Sequence, residues 1–174
     1  MIIIFTIIWA LGFYWFTAVK QTMRHHIAYG IICLIFLIAN VTAFVLHDNY
    51  HLGMTTQSSV RTQQLSSLSP RAKLLAYRSL GNGKEKVYVY KTTTKDKTQH
   101  TKADTNATTK VSITSTKPQV KVTTIKYRYA NKLSQWMFGI LSTDNETKST
   151  NYHFYVNTDW LVLSTNQLQQ MTQQ

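Results

Sequence analysis

The sequence predicts a membrane-anchored α+β protein: a two-helix transmembrane hairpin, then a small, mostly antiparallel β domain (sandwich or barrel-like) that ends in a short helix. The first 46 of its 174 residues hold only two charged side chains, Lys20 and Arg24, and no acidic one. The later residues are polar and basic, with β-branched and aromatic residues in short runs between polar turns. We therefore divide the chain into a hairpin, residues 1–46, and a basic, β-rich soluble domain, residues 47–174.

Two apolar runs predict the membrane spans. Residues 2–19 contain no charge, and neither do residues 27–46. Each run matches the roughly 20 apolar residues that a helix needs to cross the hydrocarbon core of a bilayer. A cleaved signal peptide would need a basic beginning and a small-residue cleavage site, which the first run lacks. Two core helices of a soluble protein would each show a polar face, whereas Asn40 is the main polar interruption here.

The orientation of the hairpin depends on the short loop between the two runs. This loop carries Lys20 and Arg24, while no Lys or Arg follows the second run before Arg61. Lys and Arg close to span ends favour the cytoplasmic side. The sequence therefore predicts a two-span protein of the cell membrane with its loop in the cytoplasm and its soluble domain outside the cell.

Alternating residues predict the strands of the soluble domain. The clearest runs are residues 84–93, the end of the Thr/Lys-rich stretch near Val111, residues 119–129, and two runs within residues 152–164. Residues 55–69 fit either a first strand or a tether. Within residues 119–129 the alternation reverses at Lys126, which indicates a β-bulge or a strand that is amphiphilic on both faces. Ser164 or Thr165 is suited to cap a short terminal helix.

The charge of the soluble domain predicts an anionic partner. The chain has a net charge of +12, and 17 of its 19 basic residues follow residue 46. Such a balance favours nucleic acid, acidic lipid or an anionic polymer. With the domain outside the cell, nucleic acid is not the expected ligand, whereas membrane lipid and anionic cell-wall polymer are. The predicted anion-binding surface consists of cations interleaved with tyrosines: Lys84, Lys86, Lys91, Lys121, Lys126 and Arg128. The alternative is a solvated basic surface whose tyrosines belong to the core.

We predict no catalytic residue, no cofactor and no metal site, and therefore not an enzyme. The sequence has neither a GxSxG elbow nor a phosphate-binding loop. His47 and His51, four residues apart beside Asp48, would share a face of a continued helix and could hold a metal. Two imidazoles without a third fixed ligand are better interpreted as polar residues at the membrane interface. Cys33 is the single cysteine, which excludes an intramolecular disulfide and a thiolate cluster.

Four segments carry a family resemblance: HDNYHLGM (47–54), LGNGKEKVYVYKT (80–92), HTKAD (100–104) and FYVNTDWLVLS (154–164). With the hairpin, they make the chain similar to an uncharacterised family of small two-span membrane proteins of low-GC Gram-positive bacteria, a domain of unknown function. The resemblance implies an anchored domain without assigned catalytic residues, encoded beside transporters of the drug-exporter type.

Two further hypotheses remain open. The first is an accessory subunit of a membrane transporter, docked through small residues of the hairpin: Gly12, Ala28, Gly30 and Ala39. The second is a hydrolase that acts on cell-wall material. The leading hypothesis is a non-enzymatic surface domain that contacts anionic envelope polymer, lipid or a membrane protein.

Overall fold

A computed structural model describes residues 1–19, 24–80, 85–141 and 144–172. Lys20 and Lys84 lie outside the described residues, as do residues 81–83, whose Gly-Asn-Gly sequence predicts a turn. Contacts group the chain into unit 1 (Met1–Thr56 with Tyr127–Glu146) and unit 2 (Gln57–Lys126 with Thr147–Gln174). The division into residues 1–46 and 47–174 stays a prediction about membrane and soluble parts.

Two long apolar helices begin unit 1. Helix α1 covers Ile2–Tyr14 and continues as a π-helical turn over Trp15–Val19. Helix α2 covers His26–Tyr50. Their mean hydropathies are 2.1 and 2.4, and both are long and apolar enough to cross a membrane. The predicted helical runs are confirmed, and α2 continues four residues beyond its predicted end at Leu46.

The two helices pack as an antiparallel hairpin. Trp9 stacks on Phe36 with 4.6 Å between ring centroids, and Phe16 lies 5.3 Å from Tyr29. Residues of increasing number in α1 therefore contact residues of decreasing number in α2. Aromatic pairs of this kind add about 0.5–1.5 kcal/mol beyond the area that they bury.

Glycines allow the helices to approach closely. A Cβ on Gly30 would lie 3.0 Å from Cγ2 of Thr17, and a Cβ on Gly12 would lie 3.2 Å from Sγ of Cys33. Both distances are tighter than ordinary van der Waals contact. Two of the four small residues considered for docking a partner therefore pack inside the hairpin itself, whereas Ala28 and Ala39 remain exposed.

Polar side chains within the helices bond to their own backbone. Thr6 donates to the carbonyl of Ile2 at 3.0 Å, and the Asn40 amide donates to the carbonyl of Phe36 at 2.9 Å. Such bonds to the preceding turn satisfy polar groups where no water is present. Asn40, the main polar interruption of the second run, is thus compatible with a lipid environment.

Eight strands form one sheet in the described part of the chain. They are β1 (Met54–Ser66), β2 (Leu74–Leu80), β3 (Glu85–Thr92), β4 (Lys95–His100), β5 (Ala107–Ile113), β6 (Gln119–Tyr129), β7 (Thr147–Val156) and β8 (Leu161–Ser164). The order is β5-β7-β6-β1-β3-β2-β8, with β4 paired to β3. The sheet is curled, like half of a barrel, and mostly antiparallel, with β5–β7 and β2–β8 as parallel pairs.

The predicted fold class is confirmed, with additions. Of residues 55–69, all but the last three form a strand and not a tether, and β4 lies in the Thr/Lys-rich stretch where no strand was expected. Helix α3 (Lys132–Phe138) and a 3₁₀ turn (Gly139–Leu141) also were not predicted. The Asn131 side chain caps α3 by accepting a hydrogen bond from the backbone N–H of Ser134 at 2.8 Å.

The terminal helix begins as predicted. Helix α4 covers Thr165–Thr172. The Ser164 hydroxyl accepts from the backbone N–H of Gln167 at 3.2 Å, and the Gln167 side chain accepts from the backbone N–H of Ser164 at 2.9 Å. This reciprocal pair is a capping box, which satisfies two helix-end donors.

The core of unit 2 lies on one face of the strands. Val120, Phe154 and Val156 are at most 1% exposed. The ring of Phe154 lies 5.3 Å from that of Tyr88 and 5.2 Å from that of Tyr90. The tyrosines of residues 84–93 therefore belong to the core. This agrees with the alternative interpretation, in which the basic surface is solvated and its tyrosines are core residues.

Candidate functional site

The outer face of three adjacent strands carries a row of basic side chains. In β7, Phe154 points into the core while His153 points to the opposite side, because side chains alternate along a strand. His153 lies opposite Lys110 in the parallel pair with β5 and opposite Lys121 in the antiparallel pair with β6. Residues that are directly opposite each other share a face of the sheet. Lys110, His153 and Lys121 therefore form a row across three strands.

Polar neighbours surround this row. We call the surface the lysine–histidine face, and it consists of Thr108, Lys110, Ser112, Lys121, Thr123, Asn151, His153 and Tyr155. A shallow groove of about 370 Å³ crosses most of it. All of these residues belong to unit 2.

Hydrogen bonds and stacking order the lysine–histidine face. The Ser112 hydroxyl lies 2.8 Å from Nε2 of His153, and the Thr108 hydroxyl donates to the Asn151 side-chain oxygen at 2.6 Å. The His153 ring stacks on Tyr155 with 4.1 Å between centroids. The imidazole is thus held at the centre of the row by a hydroxyl and an aromatic ring.

The three strands that form the face carry basic residues but no acidic residue. The sequences of β5, β6 and β7 contain Lys110, Lys121, Lys126, Lys148 and Arg128 but neither Asp nor Glu. Lys110 and Lys121 are both exposed. A surface with one sign of charge raises the local concentration of ligands of opposite charge. Its hydroxyl and amide groups can add hydrogen bonds to oxygen-rich ligands.

Lys126 lies on the opposite side of β6 from Lys121, because side chains alternate along a strand and the two lysines are five positions apart. The register with β7 shifts between Ile125, opposite Ser149, and Lys126, opposite Thr147. The extra residue is Lys148 of β7, so the bulge lies in β7 and leaves the alternation of β6 unchanged. Of the two interpretations of residues 119–129, the structure therefore supports a strand that is amphiphilic on both faces.

The other predicted cations lie elsewhere. Arg128 belongs to unit 1, where it forms an ion pair with Asp144 at 2.9 Å. Lys86 and Lys91 lie on β3, which is two strands from β6 in the sheet. Because they are five residues apart in the same strand, their side chains point to opposite faces. The Lys86 ammonium lies 4.5 Å from the centre of the Tyr77 ring, a cation–π contact.

Lys110 and His153 are the members of the basic row that the sequence did not predict. The parallel pairing of β5 with β7 joins residues that are 43 positions apart, such as Lys110 and His153. Alternation within one strand gives no information on such a pairing. The available signal was that both segments alternate polar with apolar or aromatic residues.

The contact between Ser112 and His153 resembles the first contact of a nucleophile and its base. A catalytic triad also requires a third group that orients the imidazole, usually a carboxylate. The three strands carry no carboxylate, and the ring of His153 stacks on Tyr155. The arrangement is therefore suited to binding, and the absence of enzymatic activity stays a prediction.

His47 and His51 occupy separate structural positions in unit 1. The His47 ring is 1% exposed and stacks on Phe138 at 4.0 Å, with 3° between the planes. Its Nδ1 lies 2.6 Å from the carbonyl oxygen of Leu52, which can only accept, so Nδ1 carries the proton. The His51 ring stacks on Tyr127 at 3.7 Å.

These contacts do not support the joint metal site that the spacing of His47 and His51 allowed. Within the described ranges, no group of three His, Cys, Asp or Glu side chains is placed to hold a metal ion. The Nδ1 of His47 is already committed to a backbone carbonyl. Both imidazoles instead pack the end of α2 against aromatic rings of unit 1.

Two core tyrosines have altered acidity. Burial raises the pKa of Tyr88 and of Tyr90 above the ordinary value of 10.0, because the phenolate would be poorly solvated. A neighbouring tyrosine adds to each shift, Tyr77 for Tyr88 and Tyr152 for Tyr90. Both side chains stay neutral through the physiological range, as expected for core residues.

Comparison with protein families assigns most of the chain to a family. Residues 22–171 match the family model DUF4811, described as a domain of unknown function. The match includes α2, the whole sheet and most of α4. No curated protein and no solved structure matches the chain. The predicted resemblance to a domain family of unknown function is thereby confirmed, whereas its restriction to Gram-positive bacteria stays a prediction.

Proposed function

We propose that this chain, which belongs to the DUF4811 family, is a non-enzymatic, membrane-anchored domain that binds an anionic polymer of the cell envelope through its lysine–histidine face. The single observation that carries the proposal is the row of Lys110, His153 and Lys121 across three strands without an acidic residue. We place the protein in the cell membrane with two spans, its loop at Lys20 and Arg24 inside and the sheet outside.

The exposure of the hairpin supports the membrane anchor. Only 6% of the most apolar window of the first helix and 11% of that of the second are buried. Core helices of a soluble protein would be mostly buried, so their exposed Ile, Leu and Phe side chains would be costly in water. Lipid is the environment that suits such surfaces.

The spacing of the row supports a linear, phosphate-bearing ligand. Neighbouring strands lie about 4.8 Å apart, so the two lysines are about 10 Å apart at the backbone. Long lysine side chains can reach successive anionic groups of a polymer laid across the strands. The hydroxyl and amide groups of Thr108, Thr123 and Asn151 suit the hydroxyl-rich parts of such a polymer.

Binding of wall teichoic acid to the full chain in a neutral detergent tests the proposal. We expect affinity to fall steeply with salt, because exposed charges are screened. Removing both lysines (Lys110→Gln with Lys121→Gln) should weaken binding about 30-fold, since each lysine near an anionic surface contributes about 1 kcal/mol. Titration calorimetry at several salt concentrations measures both effects.

A matched variant separates a defined site from general positive charge. Lys97→Gln with Lys102→Gln removes the same charge from exposed positions outside the face. We expect this variant to bind like the unchanged protein at moderate salt. Equal losses in the two variants, or binding that salt does not alter, would contradict the proposed site.

The orientation is tested separately by topology reporters fused after Leu46 and at Gln174. External signals at both positions support a partner in the envelope. Cytoplasmic signals would overturn the proposed location and make cytosolic nucleic acid or protein the ligand to test. For a transporter-associated role, Ala28 and Ala39 are the small residues left for docking, since Gly12 and Gly30 pack within the hairpin.

A further inference from the structure

Helix α3 presents an apolar face that is largely exposed. Leu133, Trp136 and Ile140 are 61%, 51% and 59% exposed. Their spacing of three and four residues places them on one side of the helix and its 3₁₀ extension. The opposite side holds Ser134 and Phe138, which are 9% and 4% exposed. The element is therefore amphipathic, with its large apolar side chains turned outward.

Contacts within unit 1 hold α3 at the end of the hairpin that is away from the loop. The Met1 amino group donates to the carbonyl oxygens of Trp136 at 3.0 Å and Met137 at 2.8 Å. The ring of Phe5 meets the edge of Trp136 with 5.7 Å between centroids. These contacts fix α3 beside the first turns of α1.

The end of α2 holds the same element from its buried side. Phe138 stacks on His47, which lies in the last turn of α2. Helix α3 therefore lies where both spans leave the apolar part of the sequence. In a bilayer that holds these spans, that level is the boundary between acyl chains and headgroups.

We propose that α3 with its 3₁₀ extension is an interfacial element that inserts Leu133, Trp136 and Ile140 into the outer part of the phospholipid layer holding the hairpin. This inference rests on the proposed membrane anchor and adds a third lipid contact to its two spans. The occupant of the face is lipid because the face continues the exposed apolar surface of α1 through the contact between Phe5 and Trp136. Tryptophan favours this level of the membrane, and the exposed Lys132 can reach the headgroups.

Fluorescence quenching by brominated lipids tests the depth of Trp136. The full chain contains four tryptophans, so three are changed to Phe to leave Trp136 alone, and the chain is reconstituted into phosphatidylcholine–phosphatidylglycerol vesicles. We expect lipids brominated near the headgroup to quench Trp136 more strongly than lipids brominated near the chain ends. The parallel variant that keeps only Trp9, in the middle of α1, should show the reverse order. The variant that keeps only Trp160, in the core of unit 2, should be quenched by neither lipid.

The three variants separate the possible failures. Quenching of Trp9 without any quenching of Trp136 would overturn the interfacial role of α3 and leave the membrane anchor in place. Absence of quenching in both would overturn the anchor and this inference together.

A substitution checks that the apolar face itself causes the insertion. Leu133→Asp with Ile140→Asp, made in the Trp136 variant, should at least halve the quenching by shallow brominated lipid, because carboxylates oppose insertion of the face. Ile113→Asp, at an isoleucine of unit 2 that is 72% exposed, should leave the quenching unchanged. Equal quenching in all three proteins would contradict the proposal.

Discussion

The two faces of β5, β7 and β6 use the same three strands for different purposes. On the inner face Val120 lies opposite Phe154, and both are 0% exposed. One residue along each strand, on the outer face, Lys121 lies opposite His153 in a polar row. Stability thus depends on the inward-facing positions, and the proposed binding depends on the outward-facing positions that alternate with them. Substitutions on either side should therefore separate folding from ligand affinity.

The largest effect is expected on the inner face. Phe154→Ala should lower the free energy of unfolding by about 3–5 kcal/mol, because it removes a fully buried ring and leaves a cavity. Chemical denaturation of the full chain in a neutral detergent, followed by circular dichroism, measures the loss. His153→Ala, at the adjacent position, should change it by about 0.5 kcal/mol or less. Similar losses in both variants would show that the outer face also supports the fold.

The next effect is expected in binding. Lys121→Glu reverses a charge in the row of the lysine–histidine face, and Lys126→Glu makes the same change on the opposite side of β6. We expect the first to weaken teichoic acid binding about 30-fold and the second less, since screening in salt limits each charge to roughly 10 Å. Calorimetric titration compares the two. A larger loss for Lys126→Glu would place the site on the other side of β6.

Alkaline pH should destabilise the core of unit 2, to which Tyr88 and Tyr90 of β3 belong. Because burial raises the pKa of Tyr88 and Tyr90, the unfolded chain loses these protons first. Their contribution to stability is complete below pH 10 and falls as the pH rises above it. Denaturant midpoints measured from pH 8 to pH 11 should show the fall, and Tyr90→Phe should reduce its steepness. A midpoint that rises over this range would contradict the assignment.

The smallest effect is expected for the hydrogen bond between Ser112 and His153. Ser112→Ala removes a partly exposed hydroxyl, so stability should change by about 0.5 kcal/mol or less and binding by about threefold or less. Incubation with labelled cell-wall material should release the same amount of product with either protein. A release that depends on Ser112 would turn the lysine–histidine face into an active site and overturn the non-enzymatic proposal.

Local patterns predicted the elements whose signals lie within a few residues. The apolar runs predicted α1 and α2, alternation predicted β3 and β6, and Ser164 was one of the two residues predicted to cap α4. The reversal of alternation at Lys126 indicated a strand that is amphiphilic on both faces, whereas the bulge beside it lies in β7. In each case the physical cause, a helix length or a side-chain period, is contained in the segment itself.

The elements that were missed depend on distant partners or on weak local signals. Helix α3 has only seven residues, and aromatic contacts with α1 and α2 hold it in place. The pairing of Lys110 with His153 is a parallel contact across a long stretch of chain. The four-residue spacing of His47 and His51 suggested a shared ligand, whereas stacking on Phe138 and Tyr127 gives each ring its own partner.

The parallel pair of β2 and β8 has a consequence for how the protein matures. Leu74 pairs with Leu161 and Tyr77 with Ser164, so one border of the sheet closes only after residues 161–164 have been synthesised. Contacts between residues so far apart in sequence form slowly, because the intervening chain must first lose much of its freedom. The hairpin, by contrast, is complete after residue 50 and joins neighbouring segments. The expected order is therefore formation of the helical hairpin first and folding of the sheet afterwards. In the orientation that we propose, the basic chain would cross the membrane while it is still unfolded.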